Sequence, residues 1–254
     1  MLAASLILYA GSQVLPAWPM GTMTSANFVP GLTFIDSDWI GIKPLDGAFW
    51  SPFAEVKFYF FFGSLYFLIG TRSAIVCLSA LAIPRLAETL CLTFGIDPTY
   101  LAPIVRDANT LFAASNAGWF AAGAVFYLFS KSGNWRLFAI ALAIALIDVY
   151  IGPRDGRKFG IFIVALFAAS LVLPLARKIL SSPVLVFVGF ISYPLYLLHE
   201  NLMVGASRLF PQLGWASVLP PLAVIVLMSW LIARFCEPVF RSALSRRRPA
   251  VVPA

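Results

Sequence analysis

Long apolar stretches alternate with short polar breaks along the chain, over residues 1–18, 52–71, 73–95, 108–130, 136–152, 159–176, 184–204 and 215–235. A bilayer's hydrocarbon core is about 30 Å thick and takes about 20 apolar residues to cross as a helix. The pattern therefore predicts an all-α fold: a polytopic transmembrane bundle of about eight helices over residues 1–238, followed by a short basic tail over 239–254. The first stretch has the length of a signal peptide's apolar region. No Lys or Arg precedes it, however, and no small-x-small cleavage pattern follows before Pro16, so it reads as a retained helix.

Prolines punctuate the spans. Pro52, Pro84, Pro194, Pro220 and Pro221 fall within or at the edge of apolar stretches, where each removes a backbone donor, so the bundle is expected to be irregular. The longest break, residues 19–51, is rich in Gly, Thr, Trp and Asp. It closes on Asp46-Gly47-Ala48-Phe49-Trp50, which reads as a turn that delivers an aromatic to the membrane interface. An inside N-terminus places most of the Lys and Arg, including Arg72, Arg136, Arg177 and the Arg246, Arg247, Arg248 cluster, on the inner side, so both termini are expected in the cytoplasm. The break from Arg154 to Lys158 runs against that bias.

Composition narrows the class. Hydrophobic residues make up 61% and charged residues 11% of 254, with a mean hydropathy of +0.89. Soluble domains carry about 25% charge, so water cannot be the solvent for most of this surface and lipid must be. A net charge of +7 is accounted for by the positive-inside bias and the terminal arginines, without nucleic acid. His199 is the only histidine and the three cysteines are widely spaced, which excludes a multi-histidine metal site and a disulfide framework.

Ionisable residues inside spans are the first functional candidates, because each is expensive in lipid. Ser51, Glu55, Tyr59, Phe62 and Tyr66 recur at helical spacing and form one stripe. A carboxylate between phenols suits a site that takes or orients a hydroxyl proton, and equally suits a buried structural Glu, with Lys57 reaching to the interface. In the seventh span, Ser192, Tyr196, His199 and Met203 share a face; His199 reads either as a helix-packing residue or as a proton-transfer group. Continuous helix from Val184 places His199 in the outer part of the membrane, where Glu55 also lies, so the two are expected to line one cavity. Arg85 and Glu88, at i and i+3, read as a charge pair, and Asp148 as a residue reaching interfacial water.

Three segments resemble a known family. Asp46-Gly47-Ala48-Phe49-Trp50-Ser51, then Glu55, then Phe58-Tyr59 is similar to a signature of the acyltransferase 3 family of integral membrane O-acyltransferases. Ile191-Ser192-Tyr193-Pro194-Leu195-Tyr196-Leu197-Leu198-His199 resembles that family's later helix, and Glu237-Pro238 with Arg241 its closing motif. The resemblance implies a bacterial inner-membrane enzyme that moves an acyl group from acyl-CoA to a hydroxyl of an envelope glycan, with no tightly bound cofactor and no metal. It implies Glu55, Tyr59 and His199 as catalytic residues in supporting roles, and Trp50, Ser51 and Tyr196 as substrate-binding residues. The family's first helix carries an Arg and the histidine usually assigned as catalytic; no residue here matches them, and eight spans stand against about ten. The chain is therefore expected to lack the family's first two helices, and a polypeptide supplying them is an implied partner beside the bilayer and the glycan. The alternatives are a non-catalytic or degenerate family member acting as a membrane partner and, with broken helices and intramembrane charge, a transporter.

Overall fold

A computed structural model describes residues 1–15, 18–21, 23–236 and 238–239. The described residues are helical, with no strand among them. The Arg246 cluster and most of the expected tail, together with Glu237 and Arg241 of the third motif, lie outside the described residues. The chain divides into two compact units, Met1–Ser51 with Ser181–Ala254, and Pro52–Leu180.

The second unit is built on α4 (Trp50–Ala80), α5 (Ile83–Thr93), α6 (Ala102–Phe112), α7 (Ala117–Ser132), α8 (Trp135–Ile151), α9 (Arg157–Val172) and α10 (Pro174–Leu180). Its centre is the α7–α8 hairpin. Gly133 ends α7 in the left-handed conformation that costs glycine nothing, and Asn134 starts α8 by accepting the N–H of Arg136 at 3.0 Å. Small residues line the buried seam, with Ala121, Ala122, Ala141 and Ala145 at 2% exposure or less; they let backbones approach closely where lipid gives no hydrophobic drive for association. Ile75, Val125, Phe126, Val149 and Val164 complete this core.

The first unit contains α1 (Leu2–Val14), the short α2 (Phe28–Thr33) and α3 (Ser37–Ile40), then α11 (Pro183–Leu198), α12 (Asn201–Ser207) and α13 (Leu219–Leu231). Here α11 packs against α13 and α1, and α12 against α1 and α13. Between α1, α12 and α13 lies a groove of about 490 Å3 whose walls, such as Ile7, Leu202, Leu209, Val224 and Met228, are apolar. Several prolines serve as helix starts: Pro84, Pro183 and Pro220 lie in the first turn, where the missing N–H is no loss. Pro194 lies in a helix interior, in α11.

Each of the eight apolar stretches is helical over most of its length, but few are straight spans. Two helical runs, Gly47–Thr93 and Pro211–Cys236, are long and apolar enough to cross a membrane. Three bent pairs raise that to five: Ala102–Phe112 with Ala114–Ser132 at 83°, Arg154–Val172 with Pro174–Leu180 at 109°, and Pro183–Leu198 with Asn201–Ser207 at 73°. The break expected near Arg72 falls at Gly70, whose φ of 79° and ψ of 168° only glycine adopts readily.

Candidate functional site

Two of the sequence motifs meet in the first unit, through residues that flank the expected ones. The loop ahead of α4 ends at Asp46, which caps a short 3-10 turn over Gly47–Phe49: one carboxylate oxygen accepts the N–H of Ala48 at 2.9 Å. The other accepts the N–H of Asn201 at 3.1 Å. In a continuous helix that N–H would bond to the carbonyl of Leu197. Asp46 takes it instead, at the point where Glu200, with φ −75° and ψ −87°, leaves helical geometry. The seventh span is thus not one helix but a broken pair, and the face shared by Ser192, Tyr196 and His199 does not run on to Met203.

Asp46 is fully buried. Burial pushes its carboxyl up from 3.8 to about 6; the Ala48 and Asn201 N–H groups oppose that rise, and the nearby Glu200 carboxyl adds to it. Gly47 makes this approach possible. A Cβ there would lie 2.5 and 2.8 Å from the two carboxylate oxygens of Glu200, closer than any side chain permits. Leu45, Ala48, Phe49, Leu197 and Leu198 are all buried, so the junction sits in packed surroundings while Glu200 itself is exposed. The Nδ2 of Asn201 is buried without a partner.

His199 caps the C-terminus of α11 at this break and is half-buried. Its Nδ1 lies 2.7 Å from the carbonyl oxygen of Tyr196. A carbonyl only accepts, so Nδ1 carries the proton of the neutral ring and Nε2 keeps a lone pair, the tautomer a proton acceptor needs. The Tyr196 ring stands 5.6 Å from the imidazole, centroid to centroid. Ser51 is half-buried in the first turn of α4, and Trp50 beside it is 56% exposed, as suits an interfacial aromatic.

Glu55 and Tyr59 belong to the other unit. Glu55 is half-buried with no hydrogen bond to a described residue of its own unit, and Tyr59 is 67% exposed. The expected interior stripe is therefore not the buried face of α4. Phe53, Ala54 and Lys57 are buried there, and the Lys57 ammonium donates to the carbonyl of Thr110 at 2.5 Å rather than reaching to the interface. Arg85 does not pair with Glu88; it donates to the Ser115 hydroxyl at 2.5 Å and faces Asp148 at longer range. Asp148 is buried at 6% exposure, against expectation, and accepts the N–H of Trp119 in the first turn of α7, while Gly118 leaves room for it. Arg72, Arg136 and Arg177 are exposed.

Sequence reasoning took Asp46 only as part of a turn and motif, and gave Glu200 and Asn201 no role. The available signals were an acid-glycine pair just before an apolar helix and a polar Glu-Asn pair just after the histidine. Among the described residues no group of three or more His, Cys, Asp or Glu is placed to hold a metal ion. No family profile, no curated protein and no solved structure matches the chain.

Proposed function

We propose that the chain is a membrane-embedded O-acyltransferase that moves an acyl group from acyl-CoA to a hydroxyl of a cell-envelope glycan, in a bacterial inner membrane with both termini cytoplasmic. The observation that supports it is the junction of the two motifs: the Asp46 carboxylate ties the segment leading to Trp50 and Ser51 directly to the break that carries His199. Motifs far apart in sequence gain a common purpose only if they share a site.

The chemistry asks for little. The acceptor hydroxyl attacks the thioester carbonyl, its proton passes to a base, and the C–S bond breaks as the CoA thiolate leaves and is protonated. In this reading Glu55, Tyr59 and His199, whose Nδ1 lies 2.7 Å from the Tyr196 carbonyl oxygen, take supporting catalytic roles, and Trp50, Ser51 and Tyr196 bind substrate. No residue here matches the Arg and His of the family's first helix, and the reading assigns that pair to a segment or partner polypeptide that supplies the family's first two helices.

Deleting the gene and restoring it as wild type, H199A or E55Q tests the reading, with base-labile acyl esters on the envelope glycan as the readout. The esters should vanish on deletion, return with wild type, and fall at least tenfold with either variant. Unchanged esters after deletion overturn the function; full restoration by both variants assigns the chain a non-catalytic role.

A further inference from the structure

We propose that Asp46 is a positioning residue for His199: its carboxyl group, buried beside Glu200 and holding the N–H of Asn201, fixes the break between α11 and α12 on which the histidine stands. The importance of His199 rests on the functional reading above, but the clasp itself does not.

Two carboxyl groups held close together in packed surroundings repel each other when both are ionised. The Glu200 carboxyl lies against Gly47, the neighbour of Asp46, and its charge acts on the Asp46 carboxyl. Their approach is built in, since the Glu200 carboxylate occupies the space where any residue larger than Gly47 would place its Cβ. Asp46 is the inner member, fully buried and held by two backbone donors. Glu200 is the outer member and exposed.

From the elements packed around Asp46, the groups that face it are the Ala48 N–H of the 3-10 turn, the Asn201 N–H of α12 and the Glu200 carboxyl of the break; among the described residues Glu200 is the only charged side chain acting on it. With no Lys or Arg acting on it among the described residues, ionising Asp46 sets its charge beside the Glu200 carboxyl. That repulsion falls on Glu200, the residue next to His199, and loosens the break. The push of Asp46 to about 6 puts this event just below neutrality.

The single histidine is its own reporter. The imidazole of the full chain, labelled with carbon-13 at Cε1 and held in lipid nanodiscs, is followed by NMR from pH 4.5 to 8.5 in wild type, D46N, D46A and E200Q. Wild type should titrate in two steps, one from the imidazole and one from the clasp. D46N should lose the clasp step, because the amide cannot ionise. E200Q should move it to lower pH rather than abolish it, because the like charge is gone while the burial of Asp46 remains. D46A should show the loosened shift throughout; if it does not fold, D46N and E200Q, which preserve shape, decide the matter alone. Identical titrations in wild type, D46N and E200Q would overturn the proposal. No step involves acyl transfer, so a clasp observed in a chain without transferase activity sinks the functional reading and leaves this inference standing. Transfer without a clasp does the reverse.

Discussion

At the scale of single residues, the junction depends on the smallest side chain in it. G47A displaces the flexible, exposed end of the Glu200 side chain from Asp46 and should cost less than about 1 kcal/mol, because that side chain can swing away. The double variant G47A/E200A removes the group the methyl strikes, so thermal unfolding of the four members of the cycle should give a coupling of more than about 0.5 kcal/mol. Additive effects would show that Gly47 is needed for its backbone alone. Asp46 gives a second outcome, through pH. Its carboxyl is raised in the folded state, so folding takes up a proton. The stability that proton contributes is fully present below about pH 4 and is lost as pH rises through about 6. The melting temperature of wild type minus that of D46N should therefore rise as pH is lowered from 7 towards 4; a flat difference would place no proton on the clasp. The residues around this contact were only half legible. Periodicity found His199 and Tyr196 because they lie on a helix, whereas Asp46, Glu200 and Asn201 act through backbone groups across 155 positions, a relation no local pattern carries. Lys57 and Glu55 were exchanged for a related reason: spacing shows which residues share a face, not which face turns inward.

At the scale of elements, apolar runs located nearly every helix, and glycine or proline located most ends. The bends escaped, because two short helices at 73° or 109° carry the same hydropathy as one straight span. Two elements give direct tests. Gly70 breaks α4 in a conformation closed to other residues, so G70A should either cost about 1–3 kcal/mol or straighten the helix. Unfolding in detergent reads the first outcome, and the spacing of spin labels at Ser64 and Val76 the second; no change in either would contradict the break. Asp148 caps α7 from α8, so D148A should cost about 0.5–2 kcal/mol, with D148N milder because its amide oxygen still accepts the Trp119 N–H. Equal melting temperatures in all three forms would deny the cap.

At the scale of the whole molecule, the surface is that of a protein solvated by hydrocarbon. Phe67 at 86% and Phe60 and Leu68 at 78% exposure are tolerable only where lipid or another apolar surface covers them. The eight-span reading with inside termini makes its own prediction: in a cysteine-free background, K43C and R154C react with an impermeant thiol reagent from outside, and K131C and R177C do not. Reaction of R154C from the inside alone would reverse the orientation of that segment, whose cations already run against the bias. Function is decided by transfer itself. Native membranes containing the full chain, given acetyl-CoA labelled in the acetyl group and a de-O-acylated envelope glycan, should yield base-labile label on the glycan, falling at least tenfold with H199A. Label no higher than in membranes lacking the chain would contradict an acyltransferase outright.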